Sequence, residues 1–190
     1  MSDIIQLKIT LQDTEPPIWR TVQVDKNISF FDLHHIIQIS MGWTNSHLFE
    51  FMIHGYKIGW MDKTNEFENP IDANNVILGL TLTNPKETFD YIYDFGDDWT
   101  HLIELEGFLP ADTNLTYPIC IDGALACPKE NCHGVDGHYH NLEIIKDTEH
   151  PEYADTKRWL GRGYNPNKFD IDKVNKELPK FKKWMNHWKK

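Results

Sequence analysis

Apolar side chains alternate over residues 4–11, placing Ile5, Leu7, Ile9 and Leu11 on one face, and this period of two predicts a strand. Glu15-Pro16-Pro17 interrupts the pattern, and a second strand is expected over 18–24. The period then lengthens: Phe30, Leu33, Ile37 and Met41 recur at helical spacing. Ser29 can cap this helix, Asp32 stands three residues on as in a capping box, and Gly42 suits the position just past the last turn. A further strand is expected over 47–53. Strand, strand, helix, strand is the order of a β-grasp unit, a likeness of fold that licenses no function.

Residues 54–75 are polar and rich in turn formers, which reads as an excursion over the surface. The run 76–82 is too short to separate helix from strand. Residues 89–95 and 99–105 form a hairpin joined through Gly96-Asp97-Asp98. From 107 to 140, glycines and Pro110, Pro118 and Pro128 indicate a long structured loop, of a length that is usually functional or tied down. Helices are expected over 142–147 and 151–160, the latter with Pro151 in its first turn and Gly161 as its stop. Ile171, Val174 and Leu178 share a helical face, and Pro179 forces a kink or a fresh start before Phe181, Met185 and Trp188. Strands and helices do not alternate regularly. The expected class is α+β: a mainly antiparallel sheet with a β-grasp-like N-terminal unit, packed by one central and several C-terminal helices, all in one domain over 1–190.

Composition narrows the function classes. With a net charge of −10 and three arginines in 190 residues, the body is poorly suited to gripping nucleic acid. The segment 170–190 is locally basic, with seven lysines against three acids, and reads as a solvated helix face or a contact for a partner. No apolar run approaches the roughly 20 residues of a membrane span, and residues 1–6 lack the pattern of a signal peptide. Three cysteines is an odd number, which argues against a disulfide framework and for a reducing, cytoplasmic setting.

Several motifs occur in a characteristic order: Pro16-Pro-Ile-Trp-Arg20, Leu33-His34, Gly42-Trp43, His47-Leu48, Tyr93-Asp-Phe-Gly-Asp97, Trp99 and His101. Cys120-Ile-Asp-Gly123, Cys127-Pro-Lys-Glu-Asn-Cys-His-Gly134 and Phe169-Asp170 follow. With these, the chain resembles the plasmid pRiA4b ORF-3-like family over roughly residues 4–178. The resemblance implies no established activity. Some relatives, associated with mobile elements, carry a resolvase label, but Ser2, Ser29, Ser40 and Ser46 have no arginines near them in sequence, and resolvase chemistry is rejected for this chain. The family's usual Pro-Pro-Glu-Asp-Cys-Gly-Gly becomes Pro128-Lys-Glu-Asn-Cys-His-Gly134 here: Glu130 is kept, while Asn131 and His133 replace an acid and a glycine.

Two clusters have chemical potential. Asp94, Asp97, Asp98 and His101, with Glu130, are candidates for general acid–base work or an oxygen-rich metal site. A three-residue turn would pair Phe95 with Trp99 and Tyr93 with His101, leaving Asp94 on the opposite face. A two-residue turn would put Asp94 beside Trp99 and His101. The alternative is that Gly-Asp-Asp is ordinary turn chemistry and His101 a partner of Tyr93. The second cluster, Cys120, Cys127, Cys132 and His133, has donors suited to zinc, although its spacing is not that of a close cysteine knuckle and buried thiols often simply fill a core. Arg20 is expected either to pair with a carboxylate or to clamp an anionic ligand. Of His34 and His35, one is expected at the core boundary and one exposed. The reading these residues favour is a module binding a small molecule or protein in a pocket formed by the 89–105 hairpin and the 107–140 loop, with Tyr91, Tyr93, Trp99 and Arg20 as contacts. The alternative is a metal-assisted enzyme using Asp94, Asp97, His101 and Glu130.

Overall fold

The computed structural model describes residues 3–61 and 70–184. In chain order these form β1 (Ile4–Leu11), β2 (Ile18–Asp25), α1 (Phe30–Met41), β3 (Phe49–Ile53), β4 (Tyr56–Gly59), β5 (Ile71–Asp72) and α2 (Leu78–Thr81). They continue with β6 (Thr88–Tyr93), β7 (Trp99–Leu109), β8 (Ile119–Ala124), α3 (Gly134–Ile144), α4 (Tyr153–Leu160), α5 (Ile171–Glu177) and α6 (Phe181–Trp184). The strands make one sheet in the order β5-β4-β3-β6-β7-β1-β2-β8. Every neighbouring pair is antiparallel except β4 with β5. The class is α+β as expected, and the β6–β7 hairpin lies between β1 and β3 of the N-terminal unit.

Alternation sets the inward face. Ile5, Leu7, Ile9 and Leu11 of β1 are buried, as are Phe49, Phe51 and Ile53 of β3 and Tyr91, Tyr93, Trp99, His101 and Ile103 of the hairpin. Helix α1 lies on this face. Ser29 accepts from the Asp32 amide while the Asp32 carboxylate accepts from the Ser29 amide, and Gly42 closes the helix at φ 86°. Every residue of α1 except Asp32 is buried, because the helix also meets α5 and α6 on its far side. This corrects the expectation for its histidines: both His34 and His35 are inaccessible. Their burial is supported by hydrogen bonds, His34 Nδ1 to the Tyr91 hydroxyl at 2.8 Å, His34 Nε2 to Asn45 Oδ1 at 2.5 Å, and His35 Nδ1 to the Phe31 carbonyl at 2.7 Å.

Other boundaries differ from the sequence pattern. Part of the expected excursion over 54–75 pairs as β4 and β5, while residues 62–69 lie outside the described residues. The expected loop over 107–140 contains the end of β7, all of β8 and more than half of α3. Helix α3 starts at Gly134, well before 142, and α4 starts at Tyr153 rather than Pro151. Met185 and Trp188, expected on the last helical face, also lie outside the described residues. No helix among the described residues is long and apolar enough to cross a membrane.

Candidate functional site

The hairpin register matches neither turn anticipated from sequence. Tyr93 pairs with Trp99 and Tyr91 with His101, leaving a five-residue connection over 94–98. Phe95 is therefore outside the strand and exposed. Asp94 and Asp98 adopt left-handed conformations at φ 57° and 54°. Asp94 Oδ1 accepts from the Gly96 amide at 3.1 Å and the Asp97 amide at 3.4 Å, so this carboxylate closes the turn. Its other oxygen lies 3.4 Å from His47 Nε2, which makes His47 its imidazole partner. Asp98 accepts from the Thr100 hydroxyl at 3.3 Å on the surface.

His101 faces away from these acids, fully buried. Its Nδ1 is 2.9 Å from the Trp99 carbonyl and 3.3 Å from that of Tyr91, so this nitrogen carries the hydrogen. Burial pushes its pKa down to about 4, leaving the ring neutral at physiological pH. The expected set of Asp94, Asp97, Asp98 and His101 is thus divided between the hairpin turn, where Asp94 is buried and Asp98 exposed, and the core, where His101 lies. Tyr91, Tyr93 and Trp99 lie in that core as well, with no measurable exposure.

The hairpin tip and the cysteine segment do meet. Asp97 Oδ2 accepts from the Cys132 amide at 3.0 Å, and the Tyr93 hydroxyl donates to Glu130 Oε1 at 2.5 Å. Glu130 Oε2 accepts from the Thr44 amide at 2.9 Å and its hydroxyl at 2.7 Å, while Trp43 Nε1 donates to the Pro128 carbonyl at 2.9 Å. Burial, then the hydrogen bond to Glu130, holds the Tyr93 phenol well above its ordinary pKa. Close packing seals this seam: Gly134 has φ 71°, and a Cβ there would lie 2.7 Å from the Asp97 carbonyl oxygen. Glu130 is therefore a latch joining the cysteine segment, the loop after α1 and the hairpin.

The expected zinc set is not assembled. Among the described residues no three histidine, cysteine, aspartate or glutamate side chains come together as a metal-holding group. Cys120 Sγ is directed to the Asp122 carbonyl, Cys132 Sγ to that of Gly134, and His133 sits in a left-handed turn at φ 69° ahead of α3. Burial pushes the Cys120 thiol up to about 11 and those of Cys127 and Cys132 up to about 12, so all three are protonated at neutral pH.

Arg20 lies only 1% exposed on β2, and no carboxylate pairs with it among the described residues. Four N–H bonds go to backbone carbonyls: Nε to Ser40 at 3.0 Å, Nη1 to Trp19 and Ala124 at 2.7 Å each, and Nη2 to Leu125 at 2.9 Å. Its guanidinium lies 3.9 Å from the Phe169 ring centroid. Only glycine fits at 123, where a Cβ would come within 2.6 Å of the Phe169 ring and 2.9 Å of Arg20 Cδ. Asp170, the next residue, caps α5 by accepting from the Lys173 amide.

A cavity of about 450 Å³ opens beside this stack, with no residue of the hairpin in its lining. Its walls come from the end of α1 and the following loop (Met41, Trp43, Thr44), from residues 126–130, and from Tyr164, Phe169 and α5, reaching Trp184. Of the four expected ligand contacts only Arg20 reaches it, at its floor. Gly42-Trp43, Cys127 and Phe169-Asp170 were visible as motifs, but nothing in their spacing marked a common cavity. Tyr164, Lys168 and Lys173 carried no signal.

These features define an α+β protein in which one mostly antiparallel sheet packs against a buried helix and a cysteine-bearing segment is latched to the loop after that helix. The chain belongs to the plasmid pRiA4b ORF-3-like protein family, whose pattern it matches over residues 3–173. It is 33% identical over 180 residues to the protein described as uncharacterized protein y4hQ of Sinorhizobium fredii, covering 94% of this chain and 92% of that one. The crystal structure of the protein of unknown function MM3350 from Methanosarcina mazei is similar to it with a TM-score of 0.80 and 37% identity, covering 89% of this chain and 96% of that one.

Proposed function

We propose that the protein is a binding module whose ligand enters the cavity between the end of α1, the 126–130 segment and α5. The observation that carries this reading is the cavity itself. At about 450 Å³ it has the size of a small-molecule site, with aromatic walls and a few polar groups. Its surroundings are held in place: Glu130 latches one wall, the Arg20–Phe169 stack another, and the Asp170 cap fixes the start of α5. Rigid walls limit the ordering cost of binding. The aromatic side chains of the hairpin support the site from behind and do not contact its contents.

A fragment screen followed by NMR tests the proposal. Hits are expected to shift the Trp43 indole N–H and the amides of residues 126–130 together, and to be lost when Ala126→Trp fills the cavity. Shifts scattered over the surface, or hits unaffected by Ala126→Trp, would overturn it.

A further inference from the structure

The charges around the cavity divide into those already committed and those left free. Both oxygens of Glu130 accept hydrogen bonds from Tyr93 and Thr44. Asp170 is bound to the first turn of α5. Glu177 forms an ion pair with Lys180 at 2.8 Å and lies in the field of Lys176 and Lys173 as well. Each acid of the lining therefore has a donor or cation of its own.

The cations differ. Lys129 and Lys168 line the rim with no side-chain hydrogen bond or ion pair among the described residues, and Lys173 joins them with no direct ion pair of its own. Arg20, at the floor, is solvated only by carbonyl dipoles and an aromatic face, so its charge is not cancelled by an acid. A chain with a net charge of −10 thus lines this concavity with an excess of positive charge. Aromatic walls alone would suit a cation equally well. Here one face of Phe169 is already occupied by Arg20, and the lining carries four cations, Arg20, Lys129, Lys168 and Lys173, against three acids, Glu130, Asp170 and Glu177.

We infer that the cavity takes an organic anion with a flat apolar body, its carboxylate or phosphate held at the lysine rim and its body against Trp43 and Tyr164. Lysines as separated point charges, rather than a bidentate arginine, suit either oxyanion. This inference rests on the cavity being the ligand site, as proposed above.

The test uses matched probes on the full chain: a naphthoate, a naphthyl phosphate, the neutral naphthamide and the naphthylmethylammonium cation, with binding read from the Trp43 indole resonance and by calorimetry. At least one anion should bind roughly tenfold more tightly than the amide, with the ammonium weakest. Lys129→Gln, Lys168→Gln and Lys173→Gln combined should remove most of that preference while leaving amide binding unchanged. If the amide or the ammonium equals or exceeds both anions, the charge inference fails and the cavity reading stands. If no probe shifts Trp43, or if the shifts persist in Ala126→Trp, both fail.

Discussion

His101 carries a consequence for pH that a surface histidine would not. Its ring is fully buried, its Nδ1–H is directed at two strand carbonyls, and its pKa is lowered from 6.5 to about 4 by burial. Between these two values the unfolded chain takes up a proton that the folded chain refuses. Its contribution is therefore complete above pH 6.5 and is lost as the pH falls towards 4. The full effect is about 3 kcal/mol for a shift of this size. His34, whose pKa is also depressed chiefly by burial, acts in the same direction. Urea midpoints measured across this range should fall with pH, and His101→Gln should flatten the curve in part, with His34, His35 and His138, all depressed chiefly by burial, maintaining the remainder. An unchanged slope in that variant would mean that His101 is accessible to protons in the fold.

Hairpin and loop show what a pattern can and cannot carry. The tip between β6 and β7 depends on Asp94, which combines a left-handed backbone with a carboxylate that caps two amides. Asp94→Ala should cost roughly 2 kcal/mol, because the strained φ remains and the caps are lost. Asp94→Asn should cost much less, since asparagine tolerates that conformation and keeps an acceptor oxygen, although the His47 contact is weakened. Equal losses in thermal unfolding would shift the explanation from the turn to the His47 pair. Of the two turns left open by the sequence, the three-residue one put Tyr91, Tyr93, Trp99, His101 and Ile103 on a shared face, which is the face the fold buries, while Phe95, expected with them, is exposed in the turn. The register itself was hidden, since Gly96-Asp97-Asp98 reads as a shorter turn than the five residues over 94–98 that the fold uses. Strand β8 and the start of α3 were hidden for a related reason. Gly123, Gly134 and Gly137 look like loop formers, but they serve close approach, to Phe169, to Asp97 and, within α3, to the Cys132 carbonyl. The cavity was the least legible feature: its walls come from β2, the end of α1, the 126–130 segment and α5, and no local spacing links them.

Across the whole molecule, strand order interleaves distant parts of the chain. Residues 4–11 of β1 pair with residues 18–25 of β2 on one side and with residues 101–109 of β7 on the other. The hairpin β6–β7 then separates β1 from β3, and α1 lies across the sheet with α5 and α6 behind it. Neither the first hundred residues nor the last ninety can complete the core alone, because removing either exposes the apolar inner face of the other. We propose on this ground that the chain unfolds as one unit despite its length, although chains of this size often populate intermediates. In a Trp159→Phe variant, which removes the tryptophan of α4, fluorescence reports on Trp19 of β2, Trp43 after α1, Trp99 of the central β7 and Trp184 of α6, besides Trp60 and Trp188, and far-UV circular dichroism reports on the sheet and helices together. In urea the two signals are expected to give coincident transitions. If α3 and α4, which contact each other and contribute little to the main core, unfold first, the dichroism signal should begin to fall before the fluorescence. An early fluorescence change would instead mean that the sheet separates into two units, and the interleaving of β1, β7 and β6 would then have to be weaker than its register indicates.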